Sequence, residues 1–285
     1  MTPMRCVVDP DLPTFAAAAL PWLRRDPVTN NVLCTVTEAR LDGQLPLEPD
    51  ALWLRVLDGT GELAGVGAQT PPRGLLLSGM PDDCAVALAD HLVSANPELP
   101  AVEGLERPAG IFAGRFIERT GLHAVEGLSA RMYRLDRVTP PKGVAGRMRE
   151  ATRSDVDLLV TWLTDFSAEA LPQQPPNDTP ALVDRRLGQG GHLWLWEDEG
   201  APVSLLMISR PAAGVVRVGA VYTPPELRGH GYASGNVAAI AERALATGAT
   251  ACMLYADRGN PVSNRIYQRI GFRPAGDTQE WVFTG

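Results

Sequence analysis

Val215-Val-Arg-Val-Gly-Ala-Val-Tyr-Thr-Pro-Pro-Glu-Leu-Arg-Gly-His-Gly-Tyr-Ala-Ser234 carries three structural signals in succession. Val215 to Thr223 is rich in β-branched residues and reads as a strand. Arg228-Gly-His-Gly231 is a glycine-rich turn. Beyond it, Ala233, Val237, Ile240, Ala241, Ala244 and Leu245 recur with helical spacing, and Gly248 marks the stop. A strand that feeds such a turn into a helix N-terminus makes an anion site, because unpaired N–H groups converge there and the helix dipole favours negative charge. Gly229 and Gly231 lack a Cβ, so the backbone can come close to phosphate oxygens. Arg228 either adds a permanent positive charge to the site or holds the loop in shape.

Two common phosphate-binding classes do not fit. The dinucleotide fingerprint needs a third glycine where this chain has Ser234, and a P-loop needs a lysine inside the glycine-rich turn. The only lysine is Lys142, between Pro140-Pro141 and Gly143, which also argues against a pyridoxal Schiff base. The pattern that does fit is R-x-x-G-x-A at Arg228, Gly231 and Ala233, which resembles the pyrophosphate signature of the GNAT superfamily of acyl-CoA-dependent N-acetyltransferases. A second segment supports it. Ala251 to Ala256 reads as the next strand, and Asn260-Pro261 caps and starts a helix that ends at Gly271-Phe272. Its pattern, N-x-x-S-N-x-x-Y-x-x-x-G-F, is similar to that superfamily's second coenzyme A segment. The resemblance runs from Arg147 to the C-terminus and is strongest from Val215 to Phe272.

The resemblance implies an N-acetyltransferase that moves acetyl from acetyl-CoA to a primary amine of a small molecule or peptide, by direct attack in a ternary complex and without a metal. The strand before the loop would splay from its neighbour, with backbone groups of Val221, Tyr222 and Thr223 on the pantetheine arm. Arg228 and the loop Gly229, His230, Gly231, Tyr232, Ala233 and Ser234 would hold the pyrophosphate. Asn260 and Asn264 would meet the coenzyme nearer its thioester. Tyr267 would act as general acid toward the departing thiol. The base stays unassigned, with Asp165, Glu169 and a water chain as candidates. The alternative is a catalytically idle acyl-CoA sensor or scaffold that keeps the loop.

An imperfect repeat organises the chain. Leu12–Leu23 and Ser154–Leu171 both have helical spacing, the second capped at Thr152 or Ser154. Leu52-Trp-Leu54 matches Leu193-Trp-Leu195, and Arg115–Leu122 matches Arg265–Phe272. We therefore expect two tandem GNAT-like α/β domains, each a mixed, mostly antiparallel sheet flanked by helices. Their expected bounds are 1–137 and 147–285, with a linker over 138–146 around Pro140-Pro141. The first copy is degenerate: Pro81-Asp82-Asp83 stands where the loop should be, and Ile117 stands where Tyr267 should recur. Carboxylates at a helix start are good caps but repel phosphate.

Composition agrees with a soluble enzyme. Of 285 residues, 45% are hydrophobic, enough for sizeable cores, and the net charge of −7 disfavours nucleic-acid or anionic-membrane partners. Cys6, Cys34, Cys84 and Cys252 form no metal-binding spacing and read as buried thiols. The absence of a signal-type or membrane-spanning apolar run makes the cytoplasm the expected location, and the alanine- and arginine-rich usage suggests a GC-rich bacterial source. Monomer and homodimer both remain open.

Overall fold

Each half of the chain runs through the same succession of elements in the computed structural model, which describes residues 4–172 and 178–285. The first half contains β1 (Arg5–Val8), α1 (Leu12–Leu23), α2 (Asn31–Leu41), β2 (Leu52–Leu57), β3 (Leu63–Gln69) and β4 (Leu75–Leu77). It continues with α3 (Asp82–Ala95), β5 (Ala101–Leu105), α4 (Glu106–Thr120) and β6 (His123–Leu135). The second half repeats the order as β7 (Arg147–Glu150), α5 (Val156–Ala170), α6 (Thr179–Gln189), β8 (Leu193–Asp198), β9 (Ala201–Ile208) and β10 (Val215–Tyr222). It ends with α7 (Tyr232–Ala246), β11 (Ala251–Asp257), α8 (Pro261–Ile270) and β12 (Arg273–Thr284). Part of the proline-rich stretch between Leu171 and Pro180, expected to border the acceptor, lies outside the described residues.

The chain divides into two compact units. One comprises the residues up to Met132 together with Ala275–Gly285, and the other is Tyr133–Pro274. The last strand thus leaves its own half. β12 pairs antiparallel with β5, from Thr278↔Leu105 to Val282↔Ala101, and Phe283 packs in a tilted arrangement against Phe116, ring centroids 4.8 Å apart, in the first unit's core. Sequence cannot reveal that exchange, because the strand's apolar pattern suits either sheet. Residues of the stretch 138–146, expected as a linker, make contacts within the second unit. Val144 packs beside Trp196 and Tyr232, and the Ala145 carbonyl accepts a hydrogen bond from Trp196 Nε1 at 2.8 Å.

In the first unit the strand order is β1-β2-β3-β4-β5-β12-β6, with β4 and β5 parallel. Its core is aliphatic and aromatic: Leu54, Val56, Leu75, Leu88, Leu92, Phe112 and Phe116 are all sealed from solvent. Burying such side chains contributes about 2 kcal/mol each. In the second unit β11-β10-β9-β8-β7 form a mixed sheet in which only β10 and β11 run parallel. Both faces of this sheet are covered. Leu193, Leu195 and Leu205 face α5 and α6 with Trp162 and Val183, whereas Trp194, Val216 and Val218 face α7 with Val237, Ile240 and Ala241. Burial on both faces explains why Leu193–Trp196 is apolar throughout rather than alternating.

α8 is placed by its amide side chains. Asn260 caps the helix, its Oδ1 accepting from Val262 and Ser263 N–H at 3.1 Å each. Asn264 Nδ2 donates to the carbonyls of Asp257 (2.8 Å) and Asn260 (2.7 Å), and its Oδ1 accepts from Tyr133 Oη at 2.8 Å. Gly271 ends the helix in the left-handed region at φ +110°, where a Cβ would lie 2.8 Å from the Arg137 carbonyl. Replacing Asn264 by Ala removes three bonds and leaves the Tyr133 hydroxyl without its acceptor. Asn264→Ala is expected to cost about 1–3 kcal/mol in urea denaturation, more than Asn260→Ala at about 1 kcal/mol.

Candidate active site

β10 and β11 pair from Val215↔Ala251 to Val218↔Leu254 and then separate, although β10 runs on to Tyr222 and β11 to Asp257. The separation coincides with a bulge. Against β9, Gly219 faces Met207 and Tyr222 faces Leu205, so β10 fits in one extra residue. Ala220 takes the left-handed conformation there, at φ +46°. A bulge re-aims the backbone and takes residues out of the ladder, which here removes Ala220 and Val221 from pairing at the mouth of the opening. A Cβ on Gly219 would meet nothing within 4 Å, so this stretch of strand borders open space.

A hydrogen-bonded set of side chains fixes the strand's exit. Ser204 Oγ donates to the Tyr222 carbonyl at 2.9 Å, Thr223 Oγ1 donates to Ser204 Oγ at 3.0 Å, and Arg228 Nε donates to the Thr223 carbonyl at 2.9 Å. The Arg228 Nη2 group also pairs with Glu169 of α5 at 2.6 Å. Of the two roles foreseen for Arg228, its contacts match the brace for the loop. Among Val221, Tyr222 and Thr223, the last two carbonyls already accept internal bonds. The main chain outside the β9 ladder lies one step earlier, at Ala220–Val221. A glycine inside a β-branched run is the sequence signal for such a bulge.

The glycine-rich turn follows. Gly229 and Gly231 are left-handed, at φ +88° and +83°, and no side chain caps α7. The first bonded helical amide is that of Gly235, which donates to the Gly231 carbonyl at 2.9 Å. The amides of Tyr232, Ala233 and Ser234 are therefore the orphan donors of a helix start. Space above Gly229 is open, while a Cβ on Gly231 would stand 3.1 Å from Val144. His230 is exposed and stacks on Tyr232 at 5.4 Å. The Tyr232 ring is buried, and its hydroxyl donates to Asp198 at 2.6 Å, so only its amide faces the turn. Ser234 Oγ donates to the Gly231 carbonyl at 2.7 Å.

Of the two residues expected to touch the coenzyme, Asn264 spends its whole amide on the α8 entry described above, and Asn260 spends its Oδ1 there. Tyr267 differs. Its ring sits in the core beside Tyr133 and Phe272, yet its hydroxyl has no hydrogen-bond partner among the described residues. Burial alone pushes its ionisation up to about 12. The neighbouring Tyr133 hydroxyl, by contrast, is bonded to Asn264 and accepts from Gln268 Nε2 at 3.1 Å. On the other face Tyr222 packs on Trp162 at 6.4 Å, and its phenol is raised by burial and then by the charges of Asp165 and Glu169. Both carboxylates are exposed on α5. Cys34, Cys84 and Cys252 are buried, and burial raises each thiol. Among the described residues no group of three or more His, Cys, Asp or Glu could hold a metal ion, and no helix is long and apolar enough to cross a membrane.

Comparison with known proteins places this architecture. A GNAT-family acetyltransferase from Colwellia psychrerythraea superposes with a TM-score of 0.65 at 12% identity, covering 98% of this chain and 100% of that one. A GCN5-related N-acetyltransferase from Sphaerobacter thermophilus gives 0.62 at 18% identity, covering 98% and 94%. A tandem GNAT protein from the clavulanic acid biosynthesis pathway gives 0.52 at 12%, covering 98% and 97%. The fold is that of the tandem GNAT acetyltransferases. In sequence, residues 157–272 match the model of the acetyltransferase (GNAT) family. Acetyl-CoA is that family's co-substrate. No curated protein matches the chain.

Tyr267 makes a prediction about alkaline stability. Its folded ionisation lies above the unfolded value of about 10, so its contribution is complete below pH ~10 and is lost as pH rises toward 12. Urea denaturation at pH 9 and pH 11 should show wild type losing more stability over that interval than Tyr267→Phe.

Proposed function

We propose that this protein transfers an acetyl group from acetyl-CoA to a primary amine of a small molecule or peptide, by direct attack in a ternary complex. The observation that carries this reading is the parting of β10 and β11 after Val218↔Leu254, next to a helix start with orphan amides. An extended arm can lie along the opened strand only if its diphosphate end has somewhere to rest. The open space at Gly219 and Gly229 and the uncapped start of α7 meet that requirement. Bound there, acetyl-CoA would supply one thing, an acyl group activated as a thioester.

The chain's own groups would do the rest. Amides from Gly229 to Ser234 hold the diphosphate by charge-assisted hydrogen bonds. The bulged main chain at Ala220–Val221 offers an N–H toward a carbonyl oxygen on which charge develops, at no reorganisation cost. Tyr267 supplies the hydroxyl for the departing sulfur. With its ionisation near 12 and a thiol near 8.5, full proton transfer is uphill by about 5 kcal/mol. Tyr267 therefore works by donating a hydrogen bond to the developing thiolate. The acceptor has to arrive as a free amine. Asp165, which acts on Tyr222 from α5, is placed to attract an ammonium and, directly or through water, to take its proton. The second unit would carry this chemistry alone. α3 of the first unit opens on Asp82 and Asp83, Asp82 is bonded to Arg107, and Ile117 has no proton to give.

Two variants test the reading by titration calorimetry and thiol release against an amine panel. Tyr267→Phe should lower turnover at least tenfold with acetyl-CoA affinity little changed; equal turnover removes Tyr267 from the mechanism. Gly231→Val places a branched residue at φ +83° against Val144 and should weaken coenzyme binding at least tenfold. A wild-type protein that binds acetyl-CoA but releases no thiol with any amine would instead be an acyl-CoA sensor.

A further inference from the structure

A half-buried cation with no hydrogen-bond or ion-pair partner among the described residues lies on the α5–α6 face of the second unit. Arg186 sits near the end of α6, one turn from Val183 and next to Leu187, which pack against Leu205, Met207 and Ala220 of the sheet. Its Nε is sealed from solvent with no hydrogen-bond acceptor, and Arg186 makes no ion pair among the described residues. Its terminal nitrogens are not sealed. Arg217 shares this face, because Val216 and Val218 on either side of it point into the α7 core. Arg185 and Arg217 both act on Arg186 as like charges, and burial with their repulsion pushes it down to about 10. Acidic groups nearby are engaged elsewhere: Asp184 pairs with Arg153, and Glu150 accepts from the Gly191 amide.

Sealing part of a guanidinium from water with no acceptor is unfavourable, and neighbouring cations add to the cost. In a chain of net charge −7, with carboxylates to spare, an arginine kept here implies an anion that comes from outside. The location suggests which one. Arg217 and the bulge at Ala220 lie on one strand about 10 Å apart, and Asp165 and Glu169 gather negative charge toward the strand's other end. One face thus presents cations at one end and carboxylates at the other.

We infer that Arg186, with Arg217 beside it, forms an anion subsite for the acyl acceptor, which would be an amine bearing a carboxylate or phosphate several bonds from its nitrogen. This rests on the proposed acetyl transfer for the acceptor's role, although the anion subsite itself can be tested alone. The probes are inorganic phosphate and succinate, titrated calorimetrically into wild type and Arg186→Met with coenzyme A at saturation to block the α7 loop. Wild type should bind at least one probe, and which one tells phosphate from carboxylate. Arg186→Met should bind it at least tenfold more weakly while melting a few degrees higher, roughly the gain expected on removing a half-buried charge with no acceptor among the described residues. Its melting curve also shows that the variant folds. If wild type binds neither probe, or Arg186→Met binds as tightly as wild type, the subsite is overturned. Coenzyme heat with no anion heat would overturn the subsite and leave the proposed acetyl transfer standing. Anion heat dependent on Arg186, obtained without coenzyme A when no coenzyme heat is found, would support the subsite while the acetyl transfer fails.

Discussion

Parallel strands that begin in register normally stay paired, since each further residue adds ladder hydrogen bonds. β10 and β11 stop after Val218↔Leu254 because the extra residue between Gly219 and Tyr222 turns the backbone out of the ladder. Ala220 holds a left-handed conformation that costs about 1–2 kcal/mol for a non-glycine residue. Such strain persists only where the surroundings enforce it. Ser204 on the Tyr222 carbonyl and Arg228 on the Thr223 carbonyl fix the strand just beyond, while the Val218 pairing fixes it just before. The opened strand and the helix start that follows it depend on this one local constraint.

The polar side chains around the opening share a pattern. Arg228, Tyr232, Ser234, Asn260 and Asn264 all direct their side-chain groups into the protein. What they leave pointing outward is main chain: the amides at the start of α7 and the bulged stretch of β10. A main-chain site cannot choose a rotamer, so its donors need no ordering when a ligand arrives. Tyr267 stands apart as a side chain whose hydroxyl has no internal acceptor. Its neighbour Tyr133, similar in burial, is tied to Asn264 and Gln268 and thereby positions α8.

The two units show how little separates a phosphate-holding turn from an ordinary one. α3 and α7 occupy matching places in the element order, each after a parallel-paired strand. β4 has only Leu75–Leu77, and α3 begins with Pro81 as its cap and two aspartates in its first turn. Carboxylates there satisfy the same electrostatic demand of the helix dipole that a phosphate would meet. In the first unit carboxylates take that position, and in the second no side chain caps it.

Sequence determined most of the elements and the loop. β-Branched runs, glycine stops and the Asn260-Pro261 cap act through neighbours within a turn or two, so α1, α7, β11 and α8 were legible residue by residue. The repeat was legible for the same reason. Only the tertiary structure decided which side chains remain available. Asn264, which the motif offers to the coenzyme, is claimed by Asp257, Asn260 and Tyr133, the last 131 residues away in sequence. Arg228 is claimed by Glu169, and Arg186 Nε is left without an acceptor among the described residues, through contacts between helices and strands that no local pattern encodes. The exchange of β12 into the first unit belongs to the same class: alternation fixes which faces of a strand are apolar, and packing alone selects the sheet that buries them.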